Sequence, residues 1–127
     1  MSELPKDLKY ATSHEWVKVE EGNIVQVGIT DFAQQQLGDL VYIELPKLGR
    51  KVTIREQCAI VESVKTASDL FSPVAGEIIA INEEAADEPE QVNDKPYQTW
   101  LFRIQADNLA DSDHLLDADA YQQLIDQ

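Results

Sequence analysis

Short apolar segments, each ending at turn-forming residues, run along most of this chain and constrain its fold more than any other feature. Val25, Val27 and Ile29 alternate with other residues as in a strand, and Gly22 and Asn23 before them can take positive φ. No apolar segment approaches the ~20 residues that a transmembrane helix needs. Strand-length segments between turns predict a mainly β protein, an all-β sandwich with a few short helices.

The predicted strands share apolar alternation or clustering between turn signals. They cover residues 14–19, 24–29, 39–45, 51–57, 58–62, 77–82 and 100–105. In the third of these, Val41, Ile43 and Leu45 are predicted to share one face. Gly76 is predicted at the tip of a tight turn, and the acidic segment 83–89 is predicted to be a solvated loop.

Two segments read as helices. Thr30 can accept backbone N–H bonds as an N-cap, Asp31 suits the positive end of the helix dipole, and Gly38 can end the helix in a left-handed conformation. Apolar residues near helical spacing predict a second helix over 112–125. Because the chain is long enough for one modest core, residues 1–127 are predicted to form a single domain.

The net charge of the chain limits the classes of partner that it can bind. It carries 24 acidic residues against 10 Lys and Arg, a formal net charge of −14. Such a field repels nucleic acids and anionic lipid surfaces, both of which bind through Lys and Arg clusters. We therefore expect no nucleic-acid or membrane partner, and we expect basic protein surfaces instead.

The termini and the single cysteine bear on the compartment. Residues 1–6 lack the pattern of a signal or transit peptide. Cys58 cannot form an internal disulfide, and its apolar surroundings predict buried packing. We expect a cytoplasmic protein of bacterial type, or a mitochondrial matrix protein from which a leader has been removed.

Lys65 lies in the middle of a segment, 61–70, that predicts a strand, a hairpin tip and a returning strand. Its small neighbours Ser63, Thr66 and Ala67 would let an enzyme reach the lysine amine and modify it. A lysine at a tip also serves simply to solubilise the turn and to block edge pairing. The residues alone leave both interpretations open.

No other group of reactive residues stands out in the chain. His14 and Glu15 are adjacent, but His114 lies far away and no His/Cys cluster has metal-ligand spacing. Phosphate-binding, nucleophile-elbow and metalloprotease motifs are absent from the sequence. We therefore expect no metal and no catalytic residue, and we interpret His14 as a structural residue at a strand entry.

The segment around Lys65 resembles the lipoylation site of the glycine cleavage H-protein family, and further segments in the same order resemble that family as well. They are residues 14–17, 28–41, 62–69, 73–78 and 89–93, with Pro96, Tyr97, Trp100, Ala118 and Tyr121. The resemblance implies a lipoyl-domain fold, a barrel-sandwich hybrid with the modified lysine at a hairpin tip. It also implies lipoate attached covalently to Lys65.

The resemblance further implies a cofactor carrier rather than an enzyme. In the family, the lipoyl arm carries the aminomethyl group of glycine from glycine decarboxylase (P protein) to aminomethyltransferase (T protein). Dihydrolipoyl dehydrogenase (L protein) then reoxidises the arm, and a lipoate-attaching enzyme supplies it. The resemblance also implies a cleft that shelters the loaded arm, with Ser13, Glu15, Ile29, Gln36 and Asp69 as the lining residues. We expect the protein to be a monomer.

Two departures from the family pattern keep an alternative open. Arg55 stands where the family usually has glycine, and the spacer Gln98–Thr99 is shorter and lacks glycine. The alternative is an H-like protein that relays lipoyl groups to other lipoate-dependent enzymes. Biotin attachment is disfavoured because biotin carriers flank their lysine with Met, whereas Val64 and Thr66 flank Lys65.

Overall fold

The computed structural model describes residues 4–126, which hold nine β-strands, four α-helices and one 3₁₀ helix. The strands are β1 (Lys9–Tyr10), β2 (Glu15–Glu20), β3 (Ile24–Ile29), β4 (Leu40–Glu44), β5 (Lys51–Val52), β6 (Gln57–Ser63), β7 (Ala67–Phe71), β8 (Gly76–Ile81) and β9 (Phe102–Ala106). The α-helices are α1 (Asp31–Leu37), α2 (Glu83–Asp87), α3 (Glu90–Asp94) and α4 (Ala118–Ile125), and the 3₁₀ helix is Leu109–His114.

The strands form two antiparallel sheets. The larger sheet has the order β1-β2-β3-β9-β8-β5, and the smaller has the order β4-β6-β7. Apolar side chains from both sheets, such as Val25, Ile104 and Val61, belong to one buried cluster. This confirms the predicted mainly β sandwich with short helices, including a C-terminal one.

The hairpin of β2 and β3 forms as its sequence predicts. Gly22 and Asn23 have φ of +76° and +61°, and Val25 and Val27 are buried. Gly28 lies against the indole of Trp16, where a Cβ atom would overlap the ring. The glycine therefore makes room for the largest buried side chain of the described residues.

Helix α1 begins and ends at the predicted residues. Thr30 accepts a hydrogen bond from Ala33 N at 3.2 Å, and Gly38 ends the helix at φ +88°. The side chain of Asn93 donates to Gly38 O at 2.9 Å and accepts from Leu40 N at 2.9 Å. Asn93 thereby fixes the connection from α1 to β4.

Strand β4 contradicts the predicted face. A register shift between Leu40 and Tyr42 forms a β-bulge, so that Leu40 and Ile43 are buried while Val41 is 56% exposed. A bulge inserts one extra residue and reverses the alternation beyond it. The prediction that Val41 and Ile43 share a face was therefore wrong.

Two predicted turns or loops were also wrong. The acidic segment contains helix α2, capped by Asn82 and anchored by the buried side chain of Ala85. Gly76 is not at a turn tip but begins β8, packed so closely on Gln105 that a Cβ atom would overlap its carbonyl oxygen. Glycine is needed there because two backbones approach closely, not because the chain turns.

A second apolar cluster joins the two ends of the described chain. The rings of Tyr10 and Tyr121 stack with centroids 4.9 Å apart, and both side chains are buried with Trp16. Helix α4, capped by Asp117, supplies Tyr121 and lies in the predicted helical region.

In residues 4–126, no helix is both long and apolar enough to cross a membrane.

Candidate functional site

Lys65 lies at the tip of the β6–β7 hairpin, exposed to solvent, as the sequence predicts. Ser63 N donates to Thr66 O at 2.7 Å across the tip. The Ser63 hydroxyl oxygen accepts from Lys65 N at 3.2 Å and from Thr66 N at 3.1 Å. The turn is therefore closed by its own backbone and by one serine, which leaves the lysine side chain free to project outward.

The tip is attached to the end of α1. Val64 N donates to Asp39 O at 3.1 Å. A Cβ atom built on Gly38 would lie 3.4 Å from Lys65 Cε and 3.9 Å from Lys65 Nζ. The side chain of Lys65 therefore extends over Gly38, and its amine lies next to the C-terminal end of α1.

A cleft of about 290 Å³ lies along α1. It is formed by one face of this helix, the segment before β2, the end of β3, and β7. Its lining residues are Ser13, His14, Ile29, Phe32, Ala33, Gln36, Leu37, Ser68 and Leu70. Three of the residues predicted for the arm-sheltering cleft, Ser13, Ile29 and Gln36, are thus brought together here.

A neighbouring cavity of about 340 Å³ shares Ser13 with the cleft. Glu15, Phe71, Arg55 and His114 contribute to its lining. The backbone of Arg55 has φ +66°, a left-handed conformation in which glycine is more usual. The residue that departs from the family pattern therefore lies beside the cleft region, with its backbone in the conformation that a glycine would adopt there.

Glu15 lies behind Ser13 and has no exposed surface. Its Oε1 accepts a hydrogen bond from the Ser13 hydroxyl, and its Oε2 accepts from Phe71 N at 3.2 Å. Burial raises the pKa of the Glu15 carboxyl, while the hydrogen bonds from Ser13 and Phe71 partly oppose that shift. Ser13 lines the cleft and Glu15 does not, so the Glu15 carboxyl can influence a group in the cleft only through its hydrogen bond with the Ser13 hydroxyl.

Asp69 does not line either cavity. It lies on β7 between Ser68 and Leu70, which both line the cleft, and successive side chains of a strand point to opposite faces. Asp69 is exposed and lies opposite Ile60 of β6. The structure therefore separates Asp69 from the other residues predicted for the cleft.

His14 lines the cleft, although the sequence favoured a purely structural role. It lies just before β2 with φ +76°, and its Nδ1 is 2.7 Å from Tyr121 Oη. Its ring centroid is 4.9 Å from that of Phe32. Burial lowers the pKa of His14 and favours the neutral ring. The one signal in the sequence was its place between Ser13 and Glu15.

The cleft combines apolar walls with the hydroxyl group of Ser13 and the amide group of Gln36. In the described part of the chain, no group of three or more His, Cys, Asp or Glu side chains could hold a metal ion. Cys58 is buried, and burial raises the pKa of its thiol to about 12, so it is not a reactive nucleophile. An exposed amine beside a partly apolar cleft fits a long group attached to Lys65 and folded along α1.

Comparisons with known proteins identify the family of the chain. The family model described as glycine cleavage H-protein matches residues 8–127. A glycine cleavage system H protein of Burkholderia ambifaria is 56% identical over 126 residues, covering 99% of this chain and 100% of the relative. One from Methylococcus capsulatus is 53% identical over 127 residues and covers 100% of both chains.

A solved structure gives the same result in three dimensions. The crystal structure of a glycine cleavage system H protein from Mycobacterium marinum superposes with a TM-score of 0.90 at 36% identity. The match covers 98% of this chain and 100% of that one. The chain belongs to the glycine cleavage H-protein family.

Proposed function

We propose that this protein is the lipoyl carrier of a glycine cleavage system, with lipoate attached covalently through the Nζ of Lys65. The observation that carries the proposal is the position of Lys65. It is exposed at a closed hairpin tip, and its side chain lies over Gly38 next to a cleft that runs along α1. An attaching enzyme can reach such an amine, and the cleft can then hold the attached group.

The residues of the cleft suit a lipoyl group. Ile29, Leu37 and Leu70 are buried apolar side chains that exclude water from its walls. Ser13 and Gln36 offer hydrogen-bonding groups, and Glu15 supports the Ser13 hydroxyl from behind. When bound, the lipoyl group supplies the disulfide that accepts the aminomethyl group of glycine.

Asp69 is not assigned to the cleft that shelters the lipoyl group. Its exposed position on β7, away from the cleft lining, suits contact with a group at the protein surface rather than within the cleft. We therefore assign the shelter to Ser13, Ile29 and Gln36, with Glu15 acting through Ser13. Asp69 stays a prediction from the family resemblance.

The proposal includes the partners and setting that follow from this role. The chain carries a group between enzymes and is not itself a catalyst. Its partners are the P, T and L proteins and a lipoate-attaching enzyme, and tethering the group to the carrier raises its effective concentration at each of them. We place residues 1–127 in one lipoyl-binding domain that acts as a monomer in the cytoplasm.

Reconstitution tests the assignment to glycine cleavage. Lipoylated protein is mixed with purified P, T and L proteins, glycine, tetrahydrofolate and NAD⁺, and release of CO₂ from glycine is followed. The proposal predicts CO₂ release with the wild type and none with Lys65→Arg. If the wild type is lipoylated but supports no glycine decarboxylation, and instead donates its lipoyl group to other lipoate-dependent enzymes, the relay alternative is correct.

A further inference from the structure

His14 has a left-handed backbone conformation at the wall of the cleft. Its φ of +76° is uncommon for a residue other than glycine, although histidine, asparagine and aspartate adopt positive φ more often than the rest. Residues in this region are held there by surrounding contacts and are frequent at ligand sites. The contacts here are backbone bonds from His14 N to Ala11 O and from Thr30 N to His14 O, together with packing on Phe32.

The hydrogen bonds around His14 have one direction that gives both hydroxyl hydrogens, those of Thr30 and Tyr121, an acceptor. Thr30 is fully buried, and its hydroxyl oxygen already accepts from Ala33 N. The hydroxyl hydrogen of Thr30 therefore goes to Tyr121 Oη, 2.8 Å away. The hydrogen of Tyr121 then goes to Nδ1 of His14, 2.7 Å away.

The opposite direction leaves a hydrogen without a partner. If Nδ1 of His14 donated to Tyr121, Tyr121 would donate to Thr30, and the buried Thr30 hydrogen would have no acceptor. Leaving a buried donor unsatisfied costs about 1–3 kcal/mol. The network therefore selects the neutral tautomer in which Nδ1 accepts and Nε2 carries the proton. The lowered pKa of His14 supports the neutral state.

The position of His14 along α1 indicates which part of a bound group it meets. Lys65 lies over Gly38, at the C-terminal end of this helix, whereas His14 contacts Thr30 and Phe32 at its N-terminal end. Seven helical residues span about 10 Å. A group that is attached to Lys65 and fills the cleft therefore brings its far end to His14.

We propose that Nε2–H of His14 donates a hydrogen bond to the sulfur end of the lipoyl group when that group lies in the cleft. This inference rests on the proposed function, because it needs lipoate on Lys65. Thr30 and Tyr121 act as positioning residues, since they fix the tautomer of His14. The titratable group in contact with the ring is Tyr121, whose Oη lies 2.7 Å from Nδ1.

The direct test is ¹⁵N NMR of the histidine rings in the unmodified, lipoylated and reduced lipoylated protein. Mass spectrometry first confirms the lipoyl group on Lys65. We expect the Nε2–H tautomer of His14 in all three forms, and a shift of the Nε2 signal with slower hydrogen exchange when the lipoyl group is present. His114, an exposed residue of the 3₁₀ helix that does not line the cleft, serves as the internal control.

Variants show whether Tyr121 acts by fixing the tautomer of His14 or only by stabilising the fold. Tyr121→Phe removes the hydrogen that Nδ1 accepts but keeps the buried ring, so His14 should populate both tautomers. Free dihydrolipoamide should then bind the unmodified His14→Asn protein about tenfold more weakly than the wild type, the change expected for one lost hydrogen bond. Tyr121→Phe should weaken binding less, about twofold, because only part of its His14 population loses the Nε2 proton. Tyr42→Phe, at an exposed tyrosine of β4, is the control.

Two results would overturn the inference. One is a protonated Nδ1 in neutral His14 of the unmodified protein. The other is an unchanged Nε2 signal in protein whose lipoyl mass has been confirmed. Absence of any lipoyl mass would count against the proposed function instead. In that case the binding of dihydrolipoamide to the unmodified chain still decides whether His14 contacts the ligand.

Discussion

At the scale of single residues, the buried carboxyl of Glu15 makes stability depend on pH. Burial raises its pKa in the folded state, so the folded protein holds this proton more tightly than the unfolded chain does. Its contribution to the free energy of unfolding is therefore fully present below the unfolded pKa, and is lost as pH rises through the folded pKa. Glu15→Gln keeps partners for Ser13 and Phe71 and does not ionise.

We expect Glu15→Gln to match the wild type in denaturant unfolding at low pH and to be the more stable protein above the folded pKa of Glu15. Glu77→Gln, at an exposed position of β8, serves as the control and should show no such difference. If the wild type were more stable than Glu15→Gln at high pH, the carboxylate would have a stabilising partner other than Ser13 and Phe71.

We predict that Ser63 affects the rate of Lys65 lipoylation more than the stability of the folded protein. Its hydroxyl oxygen accepts from Lys65 N and Thr66 N, but the tip is exposed and water can replace these bonds. Ser63→Ala should lower the free energy of unfolding by about 1 kcal/mol or less. It should slow enzymatic lipoylation, measured by mass spectrometry over time, because Lys65 is presented less rigidly.

Thr66→Ala is the matched control for Ser63→Ala. It removes a hydroxyl from the same tip, but that hydroxyl makes only a 3.5 Å bond to Ala67 O. Lipoylation of Thr66→Ala should therefore keep the rate of the wild type. Equal slowing in both variants would show that loss of any tip hydroxyl matters, and not the specific bonds of Ser63.

The sequence predicts some residues of the site and not others, for physical reasons. Lys65 at its tip and the positive φ of Gly22 and Asn23 follow from local residue types. The left-handed backbone of His14 does not, because it depends on a backbone bond from Thr30 N and on packing against Phe32, which lie on other elements of the fold. The outward direction of Asp69 depends on strand register, which the motif does not contain.

At the scale of helices and strands, the end of α1 is predicted to control access to Lys65. Gly38 and Gly49 have similar φ, +88° and +84°, and alanine at either position should cost about 1 kcal/mol of unfolding free energy. A Cβ atom at Gly49 meets nothing within 4 Å, whereas one at Gly38 would lie 3.4 Å from Lys65 Cε.

Gly38→Ala should therefore slow lipoylation and weaken binding of dihydrolipoamide, whereas Gly49→Ala should be equally destabilised without either effect. Urea unfolding measures the stability of the two variants, and mass spectrometry measures their modification. Equal rates of lipoylation for the pair would show that Lys65 does not need the space above Gly38.

The helices and strands that the sequence mispredicts share one cause. Periodicity places Val41 on the same face as Ile43, but a bulge in β4 reverses the alternation, and only the pairing with β6 reveals that bulge. The acidic segment has the composition of a loop, yet Asn82 caps helix α2 and Ala85 anchors it in the core. Tertiary contacts override local propensity in both places.

At the scale of the whole molecule, the net charge of −14 predicts how partners bind. An acidic carrier attracts basic surfaces over distances comparable to the Debye length, about 10 Å at 0.1 M salt. The association rate with the P, T and L proteins should therefore fall as salt concentration rises, whereas the dissociation rate should change less. Stopped-flow measurements across a salt series test this, and a salt-independent association rate would contradict it.

The intact mass of the protein, produced in cells supplied with lipoate, tests the central proposal most directly. We predict the added mass of one lipoyl group on the wild type and on Lys47→Arg, a control at another exposed lysine, and no such mass on Lys65→Arg. Lys65→Arg should remain folded because the residue is exposed at the tip. A wild-type protein without lipoyl mass, or a lipoyl group retained by Lys65→Arg, would contradict lipoylation at Lys65.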